Sequence, residues 1–161
     1  MLFSDNVSLE DEKELKELAV EKGLLMMGPD CGTAIINGVA LGFANVVNRG
    51  NIGVVGASGT GLQELTVLIH EFGGGLSHAI GTGGRDLKES VGGKMALMGL
   101  EALNNDANTD VIGLISKPPS PSVMKKILEM VESFNKPVVI CLLGGDQTQV
   151  ENSKVYDAYT I

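Results

Sequence analysis

The stretch Asn51-Ile52-Gly53-Val54-Val55-Gly56-Ala57-Ser58-Gly59-Thr60-Gly61 decides how this chain folds. Its first half is an apolar run rich in β-branched residues, which fits a strand buried on both faces. Its second half is rich in glycine and runs into Leu62, Leu65, Leu68, Ile69 and Phe72, spaced as one face of a helix. The reading is a strand over 51–55, a tight turn, and a helix over 61–72. A helix that starts at such a turn presents free backbone N–H groups and the positive end of its dipole. Ser58 and Thr60 add hydroxyls. The pattern suits a phosphate, a carboxylate or a phosphorylated intermediate. No Gly-Lys-Ser/Thr follows, so this is not a Walker A loop, and Gly56, Gly59 and Gly61 do not have the G-x-G-x-x-G spacing. The plainer alternative is a tight βα turn with Ser58 or Thr60 as helix cap.

The same alternation continues outward. Residues 76–80, 111–115 and 138–143 read as buried strands, and 94–103 and 122–134 as helices, the first apolar nearly all round. Residues 155–159 suggest one more strand. Apolar strands alternating with helices mean a parallel sheet covered on both faces. The expected fold class is therefore α/β, a flavodoxin-like doubly wound parallel sheet. Upstream, residues 8–22 form a helix with Ser8 as N-cap, Asp11 as its reciprocal acid and Gly23 as its stop. Residues 24–27 read as a short buried strand ended by Gly28-Pro29, and Leu2-Phe3 as a strand remnant. These pieces are too few for a core of their own, and Thr160 stands like the cap of a further helix. The expectation is a segment of a longer polypeptide, with 1–36 the tail of one domain and 37–161 a second; the alternative is a native short protein whose first βα unit packs onto the second domain.

Composition narrows the function. The chain has 161 residues, 12 Lys and Arg against 20 Asp and Glu, and a formal charge of −8. A basic nucleic-acid footprint is absent. No apolar run approaches the length that spans a bilayer, and the first residues lack a basic segment followed by an apolar one. Two cysteines, Cys31 and Cys141, fit reduced thiols. The expected location is cytoplasmic. Glycine is twice as common as usual, with 22 residues against about 11 at average usage, and clusters at 56–61, 81–84 and 144–145 directly follow strands.

Loops at the carboxyl ends of parallel strands are where such folds bind ligands. Gly56, Ser58, Gly59, Thr60 and Gly61 form the first candidate set for a phosphate or other anion. Thr82, Gly83, Gly84 and Arg85 form the second, since a 2-1-3-4-5 strand order sets their loop beside the first. Lys117, in Ser116-Lys117-Pro118-Pro119, comes from the loop on the other side. Two scarce cations in these loops favour a negatively charged small molecule, although each alone also reads as a solvated surface charge. His70 and His78 read as surface or packed residues, Cys31 as buried, and no His/Cys cluster has metal spacing. No catalytic residue is assigned.

Several stretches together resemble a known family. Met27-Gly28-Pro29-Asp30-Cys31-Gly32-Thr33 is similar to the Gly-Pro-Asn-Cys segment of the α subunit of succinyl-CoA synthetase and related acyl-CoA synthetases. Gly50 to Thr60 resembles the opening of their CoA-ligase domain. Ser77-His78-Ala79-Ile80-Gly81-Thr82-Gly83-Gly84-Arg85-Asp86-Leu87 and Ile115-Ser116-Lys117-Pro118-Pro119 look closer to an FdrA-like branch. The resemblance implies a CoA-ligase-type domain at 37–161, preceded by the C-terminal remnant of a Rossmann-like CoA-binding domain at 1–36. It implies an acid–thiol ligase-like or carbamoyltransferase enzyme, acting by acyl or carbamoyl transfer on a phosphorylated or carboxylated small molecule. It also implies CoA or a nucleotide in the full-length protein, and partner subunits or self-association. Two departures stand out: no Gly-His-Ala-Gly phosphohistidine loop is present, and Lys117 stands about where the synthetases have a glutamate. FdrA-like proteins are associated with an oxamate carbamoyltransferase complex, and a catalytically idle assembly module is the remaining reading.

Overall fold

Helix α1 (Leu9–Glu21) starts where Ser8 predicts. The Ser8 hydroxyl accepts a hydrogen bond from the Asp11 N–H at 3.0 Å, and Glu10, Asp11 and Glu12 fill the first turn, where negative charge meets the positive dipole end. The elements that follow are β1 (Thr33–Ile36), β2 (Val39–Gly42), β3 (Arg49–Gly56), α2 (Gly59–Glu71), β4 (Leu76–Gly81), α3 (Lys94–Asn105), β5 (Val111–Ser116), α4 (Pro121–Glu132), β6 (Val138–Leu142) and β7 (Val155–Ala158). The computed structural model describes residues 1–144 and 154–158. The expected features at Gly145, Tyr159 and Thr160 lie outside them.

The strands form one sheet in the order β2-β1-β4-β3-β5-β6-β7. From β4 to β7 every pairing is parallel, and this part has the flavodoxin-like order that the alternation of elements predicts. One face packs Ile35, Val54, Leu76 and Ala79 against Leu62 of α2. The other packs Val55, Ile80, Ile112 and Leu114 against Leu100 of α3 and Ile127 of α4. Helix α1 lies against α3. The core is aliphatic, as the lack of Trp and the few aromatics require.

Two expected strands do not form. Leu2-Phe3 and residues 24–27 have no strand pairing; they share one backbone bond, Leu2 N–H to Met27 O at 2.7 Å. A strand needs an open edge beside it, and the edge of β4 is taken by β1, which pairs antiparallel through Ile35 and Ala79. β1 and β2 are a hairpin around Asn37-Gly38, whose φ values of 52° and 75° are those of the two-residue turn that Asn-Gly favours. The sheet is thus mixed at this end rather than wholly parallel.

Candidate functional site

Register levels the ends of three strands. Gly56 pairs with Gly81 of β4 and with Ile115 of β5. Beyond that point Thr82 N–H donates to Gly56 O at 2.9 Å and Ala57 N–H to Ile115 O at 3.1 Å. The three loops therefore leave the sheet side by side, at the switch point where α2 and α3 depart to opposite faces. Between them opens a cleft of about 420 Å³, lined by Asp30, Ser58, Gly59, Thr60, Lys88 and Lys117 among others. An adjoining recess of about 330 Å³ shares Asp30, Gly59, Thr60 and Gly84 and adds Thr33 and Gln63.

The N-terminus of α2 forms one wall. Ser58, in extended backbone conformation, caps the helix by accepting from Gly61 N–H at 3.3 Å. Its neighbours Gly59 and Thr60 are exposed in the cleft, and their N–H groups have no partner among the described residues. Ser116, only 3% exposed, also lines the cleft, and its hydroxyl makes no hydrogen bond among the described residues. Such donors at a helix start are a ready anion site. Lys88 and Lys117 stand exposed at the rim. Asp30, in the loop after Gly28-Pro29, lines the same cleft.

The candidate residues separate on inspection. Ser58, Gly59, Thr60, Gly84 and Lys117 line the cleft. Gly56 and Gly61 are buried behind it and let Leu62 and Ile115 pack close. Thr82 is fully buried, tied to Gly56. Gly83 turns the loop at φ 87°, where a Cβ would strike the Pro29 carbonyl, a position for glycine alone. Arg85 faces elsewhere: its Nε lies 2.7 Å from Glu12 Oε2, and its guanidinium donates to Val7 O at 2.8 Å. Helix α1 thus takes the cation that loop position alone assigns to the anion. Asp30, Lys88 and Ser116 join the cleft without a sequence signal of their own, except that Ser116 precedes Lys117. Only the packing of the loop at 28–32 onto Gly81 and Gly83 brings Asp30 there.

Other reactive side chains are engaged. His78 Nδ1 accepts from Asn37 N–H at 3.1 Å, and its Nε2 lies 3.4 Å from Asp106 Oδ2. His70 Nδ1 accepts from Asn48 N–H at 3.2 Å. Burial pushes the Cys31 and Cys141 thiols up from their ordinary range. Among the described residues no group of three His, Cys, Asp or Glu is placed to hold a metal, and no helix is long and apolar enough to cross a membrane.

The sequence profile of the CoA binding domain matches residues 47–144, from the approach to β3 to the end of β6. The chain belongs to the CoA-binding domain family. This CoA-binding domain is 66% identical over 94% of its length to Uncharacterized protein YahF of Escherichia coli, of which it spans 29%. It is 26% identical to the succinate–CoA ligase [ADP-forming] α subunit of Methanothermobacter thermautotrophicus over 90% of the chain, and 27% identical to the malate–CoA ligase α subunit of Methylorubrum extorquens over 88%. It spans 49% of each of these two subunits. In fold it resembles an acetyl-coenzyme A synthetase from Ca. Korarchaeum cryptofilum solved with phosphate and ADP, with a TM-score of 0.69 at 19% identity, covering 89% of this chain and 32% of that one. It also resembles an ATP citrate lyase from Methanothrix soehngenii solved with citrate and coenzyme A, with a TM-score of 0.73 at 14% identity, covering 98% of this chain and 28% of that one.

Proposed function

We propose that this domain serves an acyl-CoA synthetase of the succinyl-CoA ligase α type, FdrA-like in branch. In this reading it holds a phosphorylated or carboxylated small molecule for acyl or carbamoyl transfer, in contact with partner subunits in the cytoplasm. The observation that carries the reading is the cleft above α2. It combines the N–H groups of Gly59 and Thr60 and the Ser116 hydroxyl, which have no partner among the described residues, with the rim cations Lys88 and Lys117.

These groups act on a bound anion in distinct ways. The two N–H groups and the dipole of α2 fix the position of its oxygens. Lys117 and Lys88 supply compensating charge as point cations. Arg85, held by Glu12, keeps the loop of Gly83 and Gly84 in place rather than touching the ligand. The donors fit a phosphoryl group of CoA or of a nucleotide, and the adjoining recess leaves room for the rest of such a molecule. CoA, when bound, supplies the thiol that accepts an acyl group. The division of the chain into a CoA-binding-domain tail at 1–36 and a ligase-type domain at 37–161 belongs to the same proposal.

Gly59 offers the test, because a Cβ there meets nothing within 4 Å. Gly59→Val leaves the fold intact and fills the cleft above the helix start. Calorimetric titration with inorganic phosphate is expected to show binding to the wild-type domain and at least a tenfold loss in the variant, about 1.4 kcal/mol. Equal affinity removes the cleft from the mechanism. No binding by either protein leaves the assembly-module reading in its place. Assays of the full-length protein for ADP-forming acyl-CoA synthesis and for oxamate carbamoylation then separate the two transfer reactions.

A further inference from the structure

From Cys31 to Asn48 the sequence carries no Asp, Glu, Lys, Arg or His, in a chain of which 20% is charged. This band builds the β1–β2 hairpin and the loop after it. β2 is the outer edge of the sheet, and all four of its residues are exposed. Natural edge strands are guarded against pairing by charge, proline or a covering element. Among the described residues β2 has none of these: it presents Val39, 63% exposed, and Leu41, 40% exposed, followed by Phe43, 69% exposed.

The backbone of this edge is set by its turn. A two-residue loop makes Ile36 and Val39 the hydrogen-bonded pair that closes the hairpin. The N–H and C=O groups of Val39 and Leu41 then face β1, and Phe43 N–H continues the alternation by donating to Gly32 O at 2.7 Å. Those of Ala40 and Gly42 face outward, with no partner among the described residues.

We propose that β2 pairs antiparallel with β2 of a second copy of this chain, about a two-fold axis at Leu41. In this register the outward groups of Ala40 meet those of Gly42 in the second copy. Leu41 faces Leu41 across the axis, and Val39 faces Phe43, a β-branched residue against an aromatic, which is a favourable cross-strand pair. One short segment thus supplies both halves of a self-complementary interface. Charge points to the same surface: two chains of formal charge −8 each repel, and they approach best where the surface is neutral. Phe3, 53% exposed and edge-on to Phe43 at 5.3 Å, widens the patch. With side chains of this size each copy contributes roughly 500 Å², about 1,000 Å² in total, the lower limit for a specific pairing. The loops of the anion cleft lie at the ends of β3, β4 and β5, so the pairing is independent of the reading given for that cleft.

Sedimentation equilibrium of the 161-residue chain tests the pairing, with a dimer expected at a micromolar dissociation constant. Leu41→Lys and Leu41→Glu each set like charges face to face at the axis and are expected to weaken the dimer at least about 100-fold. An equimolar mixture of the two is expected to restore it, since lysine then meets glutamate. Circular dichroism and melting temperature confirm that each variant is folded, and Phe43→Ser replaces any that is not, with the same loss expected. A wild-type chain that stays monomeric at about 100 μM overturns the proposal, whatever other chain then covers β2. So does a dimer that both charged variants leave intact, or a mixture that stays monomeric.

Discussion

Lys16 has no exposed side-chain surface, yet it carries a charge. Its Nζ donates to Glu12 Oε1 at 2.8 Å, Asp86 Oδ1 at 2.8 Å and Thr82 O at 3.0 Å. Those contacts use all three ammonium donors, which is what a buried cation requires. Removing one partner of such a cluster strands the others. Lys16→Met is therefore expected to lower the unfolding free energy by about 3 kcal/mol, read as a shift of the urea midpoint at unchanged slope. Cys31 gives a second check. Burial raises its thiol above the ordinary value, ahead of the Thr33 carbonyl contact that acts the other way. The folded thiol therefore stays neutral where the unfolded one ionises. Stability from this residue is complete below the ordinary thiol range of about 8.5 and declines as pH rises through the raised value. Maleimide labelling of the native chain at pH 8 is expected to be slow and to become rapid in denaturant, and fast native labelling contradicts the burial. None of this shows in the sequence, where Lys16 is one more charge on a polar helix.

Helix α3 shows how elements depend on distant residues. Its N-cap is Gly93, which has no side chain to offer. The Asp86 carboxylate caps it instead, accepting from Ala96 N–H at 2.8 Å and Met95 N–H at 3.3 Å. The same carboxylate receives Lys16, so α1, the loop after β4 and the start of α3 meet in one cluster. Asp86→Ala removes the cap and a Lys16 partner together. Its destabilisation and that of Lys16→Met are expected to be non-additive, with a coupling of about 1–3 kcal/mol in a double-mutant cycle. Additive losses would separate α1 from the capping of α3. At the start of α2 the cap is local and legible: Ser58→Ala is expected to cost about 1 kcal/mol in thermal or urea unfolding.

At the scale of the whole molecule, ligand and fold are linked. An anion that binds the cleft only in the native state stabilises the domain by mass action, about 2.7 kcal/mol at a hundredfold excess over its dissociation constant. Phosphate is expected to raise the melting temperature most in the wild-type domain, less in Lys88→Ala and least in Gly59→Val, in the order of their affinities. A rise in Gly59→Val equal to that of the wild type would place the anion elsewhere.

The parallel part of the sheet and the turn between β3 and α2 are legible in the residue pattern alone. Strand and helix periods there are local properties, set by which residues alternate with what spacing, and Ser58 caps the helix that begins one residue after it. The Asn37-Gly38 turn was equally local, but its strands are four residues each, too short to register as a pattern. Tertiary structure decided the rest. Whether residues 24–27 pair depends on which edge is free, and β1 holds it. Arg85 turns to Glu12, and Asp30 and Ser116 enter the cleft, because chain segments distant in sequence pack side by side. A charge goes to the partner that packing brings nearest, and the order of residues along the chain does not record that distance.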